Sequence, residues 1–171
     1  GPLGERLGSG LRNVHNVTPF IDVGSRIADI PASLMARIMA LPPVVSLNRQ
    51  EADVAADLLG VSADVQTLGR AWQEAFRAPV IIRQDKAGAW YFDAASEGIV
   101  APFPATVVDT IGAGDSHAGG TLAGLAAGWS LAEAVTLGNA VAAYVVSHRG
   151  GDCAPTLAEL RTRLLLTDEN V

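Results

Sequence analysis

Apolar residues occur along the chain in two kinds of run that point to different secondary structures. Short, nearly continuous apolar runs predict buried β-strands, whereas apolar residues spaced three or four apart predict amphipathic helices. The predicted strands are Phe20–Val23, Val44–Leu47, Val80–Ile82, Ala89–Phe92, Ile99–Phe103 and Thr106–Val108. The predicted helices are a segment opened by Pro31, then Asn48–Leu59 ended by Gly60, Ala63–Arg77, Ala113–Gly128, Leu131–Ser147 and Leu157–Leu166.

Strands and helices alternate through the first half with short connections. This order favours an α/β fold with a mostly parallel sheet and helices on its faces. The 171 residues fit one domain, and we find no internal repeat or linker. Residues 1–18 are predicted to be an irregular lead-in, and its first four residues, Gly-Pro-Leu-Gly, resemble the remnant of a protease cleavage. Residues 19–171 are predicted to form the folded part.

The composition narrows the classes of partner. Hydrophobic residues make up 49% and charged residues 18%, which is typical of a globular domain. The net charge of -6 argues against a nucleic-acid partner, because binding to a phosphate backbone requires a basic surface. No apolar run approaches the ~20 residues that span a bilayer, so we expect no membrane partner. The single cysteine, Cys153, cannot form an internal disulfide, and a cytoplasmic location is the simplest interpretation.

A loop of small residues carries the clearest chemistry. The segment follows the predicted strand at Val108, contains Gly112 and Gly114, and leads into a helix near Asp115. Glycines allow backbone N–H groups to approach an anion, and a helix N-terminus favours negative charge. A carboxylate beside such an anion site suits phosphoryl transfer, in which it accepts the proton of an attacking hydroxyl. The alternative interpretation is a plain glycine-rich turn with an acidic helix start.

The stretch Asp109-Thr110-Ile111-Gly112-Ala113-Gly114-Asp115 resembles the D-T-x-G-A-G-D motif of the ribokinase (PfkB) carbohydrate kinases, and the similarity extends over about residues 19–166. The resemblance implies a Rossmann-like, three-layer α/β/α ribokinase fold. It also implies ATP-dependent phosphorylation of a hydroxyl on a sugar or sugar-like small molecule. In that family the final Asp, here Asp115, is the general base. The backbone of Gly112, Ala113 and Gly114 is the anion hole, and Thr110 is placed at the nucleotide.

Further motifs of the same resemblance imply contacts with ATP and Mg²⁺. Asn48 and Glu51 are similar to the family's N-x-x-E motif near the magnesium and phosphates, and Glu51 would hold Mg²⁺ through water. The alternative is a helix cap at Asn48 with a capping-box glutamate, and we favour both roles together. Asn139 stands where the family has an asparagine close to the nucleotide. His117 replaces a residue that is often aromatic, and a packed histidine is favoured there over a proton relay.

Asp109 has two interpretations that the sequence leaves open. Its carboxylate caps the loop after the predicted strand, or, as the resemblance implies, it forms a monovalent-cation site for K⁺ with the carbonyl of Ile111.

The chain departs from the family in the segment that normally reads T-x-G-x-x-G over the nucleotide. The aligned residues are Arg83 to Gly88, so the second glycine is present, whereas Asp85 replaces the first. Arg83 is expected to pair with a phosphate. Asp85 would repel a polyphosphate unless its side chain points away or Lys86 offsets its charge, and this bears on nucleotide affinity and identity.

The resemblance covers only the C-terminal half of the family's domain. The N-terminal strands, the lid and most substrate contacts are therefore expected to be absent, so the acceptor cannot be inferred. An exposed sheet edge is expected where the missing strands would pair, and it predicts a homodimer. Two alternatives to a sugar kinase remain: a truncated, non-catalytic nucleotide-binding fragment, and a nucleoside kinase of the same family.

Overall fold

The computed structural model describes residues 18–24, 29–40, 42–150, 152–156 and 158–160. Its strands are β1 (Phe20–Asp22), β2 (Val44–Leu47), β3 (Val80–Arg83), β4 (Ala89–Phe92) and β5 (Glu97–Val100). Its helices are α1 (Ala32–Met39), α2 (Arg49–Leu59), α3 (Val65–Phe76), α4 (Ala113–Ala126) and α5 (Leu131–Val146). The predicted lead-in lies outside the described residues except for Thr18. Of the last predicted helix, only residues 158–160 are described, and they are helical.

The five strands follow chain order across one sheet, β1-β2-β3-β4-β5. The first three are parallel, with Asp22 opposite Ser46 and Ser46 opposite Ile81. The connections on either side of β4 are too short for a parallel crossover, so the sheet is mixed. The prediction of a mostly parallel sheet therefore applies to β1–β3, and β4 and β5 are added through hairpin connections.

The chain divides into two compact units: Gly1–Arg83 with Phe92–Glu97, and Gln84–Tyr91 with Gly98–Val171. The core of the first unit consists of the parallel strands and the apolar stripe of α3. Its buried members include Val45, Leu47, Leu68, Trp72, Val80, Ile81, Ile82 and Phe92. Strands buried in this way need β-branched side chains on both faces, which explains the continuous apolar runs in the sequence.

The second unit is built on the pair α4 and α5, which pack through small residues. A Cβ added at Gly124 would lie 2.8 Å from the Cα of Ala134, and one at Gly120 would lie 3.0 Å from the Cα of Gly138. The two helices therefore approach each other backbone to backbone. Within the described part of the chain, no helix has the length and hydropathy needed to cross a bilayer.

The predicted strand Thr106–Val108 is wrong. Residues 101–110 form an irregular segment, and the side chains of Val107 and Val108 are 55% and 54% exposed. The N–H of Val108 donates to the carbonyl of Val146 at the end of α5, 2.7 Å away, instead of joining a sheet. Two nearby prolines, at 102 and 104, cannot donate to a β-ladder. Likewise, the strand predicted at Ile99–Phe103 begins earlier, at Glu97, and ends at Val100.

Two helical glycines make a matched test of packing against helix propensity. Gly69 in α3 faces the buried ring of Phe92, and a Cβ there would overlap the ring, whereas a Cβ at Gly119 in α4 meets nothing within 4 Å. We expect Gly69→Ala to destabilise the fold by about 1–3 kcal/mol through overpacking. Gly119→Ala should stabilise it by up to about 1 kcal/mol through helix propensity. Denaturant unfolding of both variants measures the difference, and equal effects would contradict the packing described for α3.

Candidate active site

The carboxyl ends of the three parallel strands in the first unit bring polar side chains together. Asp22 ends β1, Asn48 directly follows β2, and Arg83 ends β3. In α/β proteins, ligands bind outside the carboxyl ends of parallel strands, so this edge is the expected place for chemistry. The sequence motifs predicted Asn48 and Arg83 there, whereas Asp22 was assigned only to a strand. Its position as the last residue of a parallel strand is the signal that would have found it.

Asn48 and Glu51 form a complete capping box at the start of α2. The N–H of Glu51 donates to Asn48 Oδ1 at 2.9 Å, and the N–H of Asn48 donates to Glu51 Oε2 at 2.8 Å. In addition, Asn48 Nδ2 donates to Glu51 Oε1 at 2.9 Å. Glu51 is only 3% exposed, and both of its oxygens accept hydrogen bonds from Asn48. The capping interpretation is therefore present in the structure, and the magnesium contact stays a prediction.

Arg83 lies between two carboxylates. Its Nη2 is 3.5 Å from Asp22 Oδ2 and 3.8 Å from Glu51 Oε2, and the side chain is 13% exposed. Its Nε is buried and has no hydrogen-bond partner among the described residues. Because Glu51 is a buried anion, the guanidinium compensates a charge that would otherwise be costly to bury. Phosphate pairing by Arg83 stays a prediction, and the charge compensation was not foreseen from the sequence.

In the second unit, Asp109 fixes the loop before α4. Its Oδ1 accepts from the N–H of Ile111 at 3.0 Å, and its Oδ2 accepts from the N–H of Gly150 at 3.1 Å. The Ile111 bond first, and then the Gly150 bond, hold the pKa of the Asp109 carboxyl below its ordinary value. The geometry agrees with the loop-capping interpretation. The monovalent-cation site with the Ile111 carbonyl stays a prediction.

The start of α4 lacks the side-chain cap that three other helices have. Asn48, Asp64 and Ser130 cap α2, α3 and α5 through their side chains. The N-cap of α4 is Gly112, in the left-handed conformation with φ 77°, and no side chain bonds to the helix start. This conformation favours glycine.

The first turn of α4 therefore has donors without acceptors. The N–H of Ala113 donates to the carbonyl of Thr110 at 3.3 Å, and that of Ser116 donates to Gly112 at 2.8 Å. The N–H groups of Gly114 and Asp115 have no acceptor among the described residues, and the Asp115 side chain is exposed. Helix α1 also begins without a side-chain cap, but it has no acidic residue in its first turn. Among the described α-helices α1 to α5, only α4 both lacks a side-chain cap and has an acidic residue in its first turn.

The turn Gln84–Gly88 keeps the backbone of a glycine-containing loop. Asp85, at the position where the family has its first glycine, adopts a left-handed φ of 49°, and Gly88 has φ 90°. Left-handed backbone is uncommon for residues other than glycine, although aspartate tolerates it better than most. The turn therefore has a left-handed backbone at Asp85 and presents the carboxylate of this residue to solvent.

Asn139 and His117 lie in the interior of the second unit, at 7% and 4% exposure. His117 Nε2 is 3.1 Å from Asn139 Oδ1, and Asn139 Nδ2 donates to the carbonyls of Val100 and Ala101. His117 is thus a buried, packed histidine, as favoured from the sequence. Both polar atoms of the Asn139 amide have hydrogen-bond partners inside the protein. The predicted contact of Asn139 with the nucleotide stays a prediction.

The chain matches the pfkB family of carbohydrate kinases over residues 14–157. The chain belongs to this family. It is 61% identical over 170 residues to the uncharacterized sugar kinase YegV of Escherichia coli, covering 99% of this chain and 52% of YegV. It is 36% identical over 141 residues to the 1-phosphofructokinase of E. coli, covering 81% of this chain and 45% of that enzyme. The chain therefore spans about half the length of the curated relatives it matches.

Solved structures confirm the predicted ribokinase-like α/β fold. The nucleoside kinase of Burkholderia thailandensis, solved in complex with inosine, superposes with a TM-score of 0.74 at 25% identity, covering 94% of this chain and 50% of that one. The ribokinase of Thermotoga maritima superposes with a TM-score of 0.73 at 22% identity, covering 88% of this chain and 50% of that one. At this identity the likeness supports the fold alone.

The capping boxes of α2 and α5 provide a matched test of the Arg83 cluster. In Glu51→Gln, one N–H donor of Asn48 faces the new amide nitrogen and loses its acceptor. Arg83 also loses a charged partner. We therefore expect the free energy of unfolding to fall by about 2 kcal/mol or more. In the exposed box of α5, Glu133 accepts both bonds from Ser130 on Oε2, and Glu133→Gln keeps an oxygen for them. That change should cost roughly a few tenths of a kcal/mol. Urea unfolding measures both, and a cost for Glu51→Gln as small as that for Glu133→Gln would contradict the buried cluster.

Proposed function

We propose that the chain is the phosphate-binding and catalytic part of an ATP-dependent kinase that phosphorylates a hydroxyl of a sugar-like small molecule. Asp115 is the general base, and the backbone from Gly112 to Gly114 is the anion hole. Membership of the carbohydrate kinase family supports this activity class. Because the chain spans about half of its relatives, the activity and substrates of the whole protein belong to this proposal.

The uncapped start of α4 is the observation that carries the proposal. The unpartnered N–H groups of Gly114 and Asp115 require an acceptor, and an anion supplies one more favourably than water does at the positive end of a helix. In α2, α3 and α5 a side chain accepts from one N–H of the first turn, that of Glu51, Thr67 or Glu133, whereas α4 has no such side chain. A phosphate of the nucleotide that this kinase family is expected to use could accept from the N–H groups of Gly114 and Asp115.

In the proposed reaction, the acceptor hydroxyl loses its proton to Asp115 as its oxygen attacks the terminal phosphorus of ATP. The bond between that phosphorus and the bridging oxygen breaks, and its electron pair leaves with ADP. The N–H groups at the start of α4 stabilise the negative charge on the phosphoryl oxygens in transit. Asp115 suits the role of base because its carboxylate is exposed at the same helix turn.

The predicted ions fit the described residues to different degrees. Both oxygens of Glu51 accept hydrogen bonds from Asn48, which supports a contact of this carboxylate with Mg²⁺ through water. Magnesium bound near the phosphates would neutralise their charge. Asp109 presents oxygens that accept backbone hydrogen bonds, which keeps it anionic beside the Ile111 carbonyl where K⁺ is predicted. Thr110, Arg83 and Gly88 remain the further proposed nucleotide contacts.

A sugar acceptor is favoured over a nucleoside because the relative with 61% identity is named a sugar kinase. A nucleoside acceptor is the second candidate, since a nucleoside kinase is among the structural neighbours. A non-catalytic nucleotide-binding fragment is the third, but it gives no reason for an exposed carboxylate at Asp115. Dimerisation through the edge strand β1 and a cytoplasmic location also remain predictions.

Two substitutions at the start of α4 separate catalysis from binding. Asp115→Asn should abolish turnover in a protein of the relatives' full length that contains this chain, while the rise in melting temperature caused by magnesium-ATP is retained. Gly112→Val should remove that rise, because a β-branched side chain is strained at φ 77° and the donors are displaced. Near-normal turnover in Asp115→Asn would exclude it as the base. Melting without ligand controls for lost stability in both variants.

A further inference from the structure

The side-chain amide of Asn139 connects two parts of the second unit. Its Nδ2 is 3.1 Å from the carbonyl oxygen of Val100 and 3.0 Å from that of Ala101, and its Oδ1 is 3.1 Å from His117 Nε2. Carbonyl oxygens only accept hydrogen bonds, so the amide nitrogen must face them. The amide oxygen then faces His117, and Nε2 of the imidazole must carry a proton and donate it.

The Val100 carbonyl also supports the Gln84–Gly88 turn. A Cβ at Gly88 would overlap this oxygen, so the turn packs its backbone directly against the group that Asn139 holds. The turn closes on itself through Gln84 N–H to the Gly88 carbonyl at 2.8 Å, and through Ala87 N–H to the Gln84 carbonyl at 2.9 Å. A shift of the Val100 carbonyl would therefore remove the atom against which the Gly88 backbone packs, and the turn would lose this support.

The other end of the connection is held equally closely. His117 lies two residues after Asp115 in α4, and its carbonyl accepts from Thr121 Oγ1 at 2.8 Å. A Cβ at Gly138 would lie 2.8 Å from the His117 carbonyl oxygen and 3.1 Å from its Nε2. The backbone of α5 thus seats the imidazole, which has little room to shift.

We propose that His117 and Asn139 are positioning residues that fix the first turn of α4, and with it the Asp115 carboxylate, relative to the Gln84–Gly88 turn. The catalytic consequence rests on the proposed function, because both ends of the connection carry residues assigned there to phosphate transfer. Neither side chain touches the reacting atoms, since both are buried. A histidine is needed at this place for its donor, which an aromatic hydrocarbon ring lacks.

The physical basis is that each bond in the connection is directional and buried. Asn139 holds two consecutive carbonyls at the point where β5 ends, that of its last residue Val100 and that of Ala101, the first residue of the irregular segment. Buried amides lose more from an unmade bond than they gain from a made one, so removing the His117 donor leaves Asn139 Oδ1 unsatisfied. The amide is then expected to shift and release the carbonyls that support the turn.

The test is hydrogen exchange of the backbone amides of Gln84, Ala87 and Gly88, followed by NMR without nucleotide. His117→Phe keeps a ring and removes the donor, and should accelerate their exchange roughly 2- to 30-fold. His117→Gln restores a donor and should return the rates to within about twofold of the unmodified chain. The control is Gly124→Ala, which strains α4 and α5 against each other at the distant contact with Ala134. It should lower the melting temperature without selective acceleration at the turn.

Unchanged exchange in His117→Phe would overturn the proposal, as would equal acceleration by Gly124→Ala at a matched loss of melting temperature. If His117→Phe does not fold, Asn139→Asp serves instead, because it keeps the size and Oδ1 of the side chain while removing the donors to Val100 and Ala101. Selective acceleration at the turn in this variant would support the proposal, and its absence would overturn it. Magnesium-ATP binding is scored separately on the unmodified chain, so a failure of the proposed function is distinguishable from a failure of the positioning role.

Discussion

The first turn of every α-helix has N–H groups that need acceptors, and the proposed phosphate site depends on how the helices of this protein supply them. Three helices meet part of this requirement with their own residues, because Asn48, Asp64 and Ser130 each accept from one first-turn N–H on a side-chain oxygen. Helix α4 begins instead at a left-handed Gly112, with donors at Gly114 and Asp115 that no described residue accepts from. In a member of the pfkB carbohydrate kinase family, the expected acceptor is a phosphate.

A second constraint is the charge balance at the carboxyl ends of the parallel strands. Burying Glu51 is tolerable because Asn48 satisfies both of its oxygens and Arg83 supplies a compensating charge that it shares with Asp22. Two of these residues, Asn48 and Glu51, are those that the family's N-x-x-E motif is predicted to place near phosphates and magnesium. A helix cap and a functional carboxylate are therefore compatible, since the cap holds Glu51 in one orientation and leaves its remaining lone pairs for water.

Sequence reasoning was most successful where the determinants are local. The capping box of Asn48 and Glu51, the left-handed Gly60 that ends α2, and the helix start at Ala113 all depend on residues within a few positions of one another. Local patterns misjudged Thr106–Val108, because β-branched residues favour a strand only when a neighbouring strand is available to pair with them.

Contacts between residues distant in sequence were beyond the reach of local patterns. The bond between His117 and Asn139 spans 22 positions, and that between Asn139 and Ala101 spans 38. The family resemblance predicts that Asn139 lies close to the nucleotide, which stays a prediction, and it gave no indication that the amide lies between a histidine and two carbonyls. The partnership of Arg83 with Asp22 was missed for the same reason, since it depends on the pairing of three strands.

A titration of the isotopically labelled chain with magnesium-ATP, followed through its backbone amide NMR signals, tests whether the start of α4 is the phosphate site. We expect the signals of Gly114 and Asp115 to shift strongly and saturably, because their N–H groups gain phosphate acceptors. The N–H groups of Thr67 and Glu133 in the first turns of α3 and α5 have side-chain acceptors already, so they provide internal controls. Saturable binding that leaves the Gly114 and Asp115 signals in place, or the absence of any binding, would contradict the claim that the start of α4 is the phosphate site.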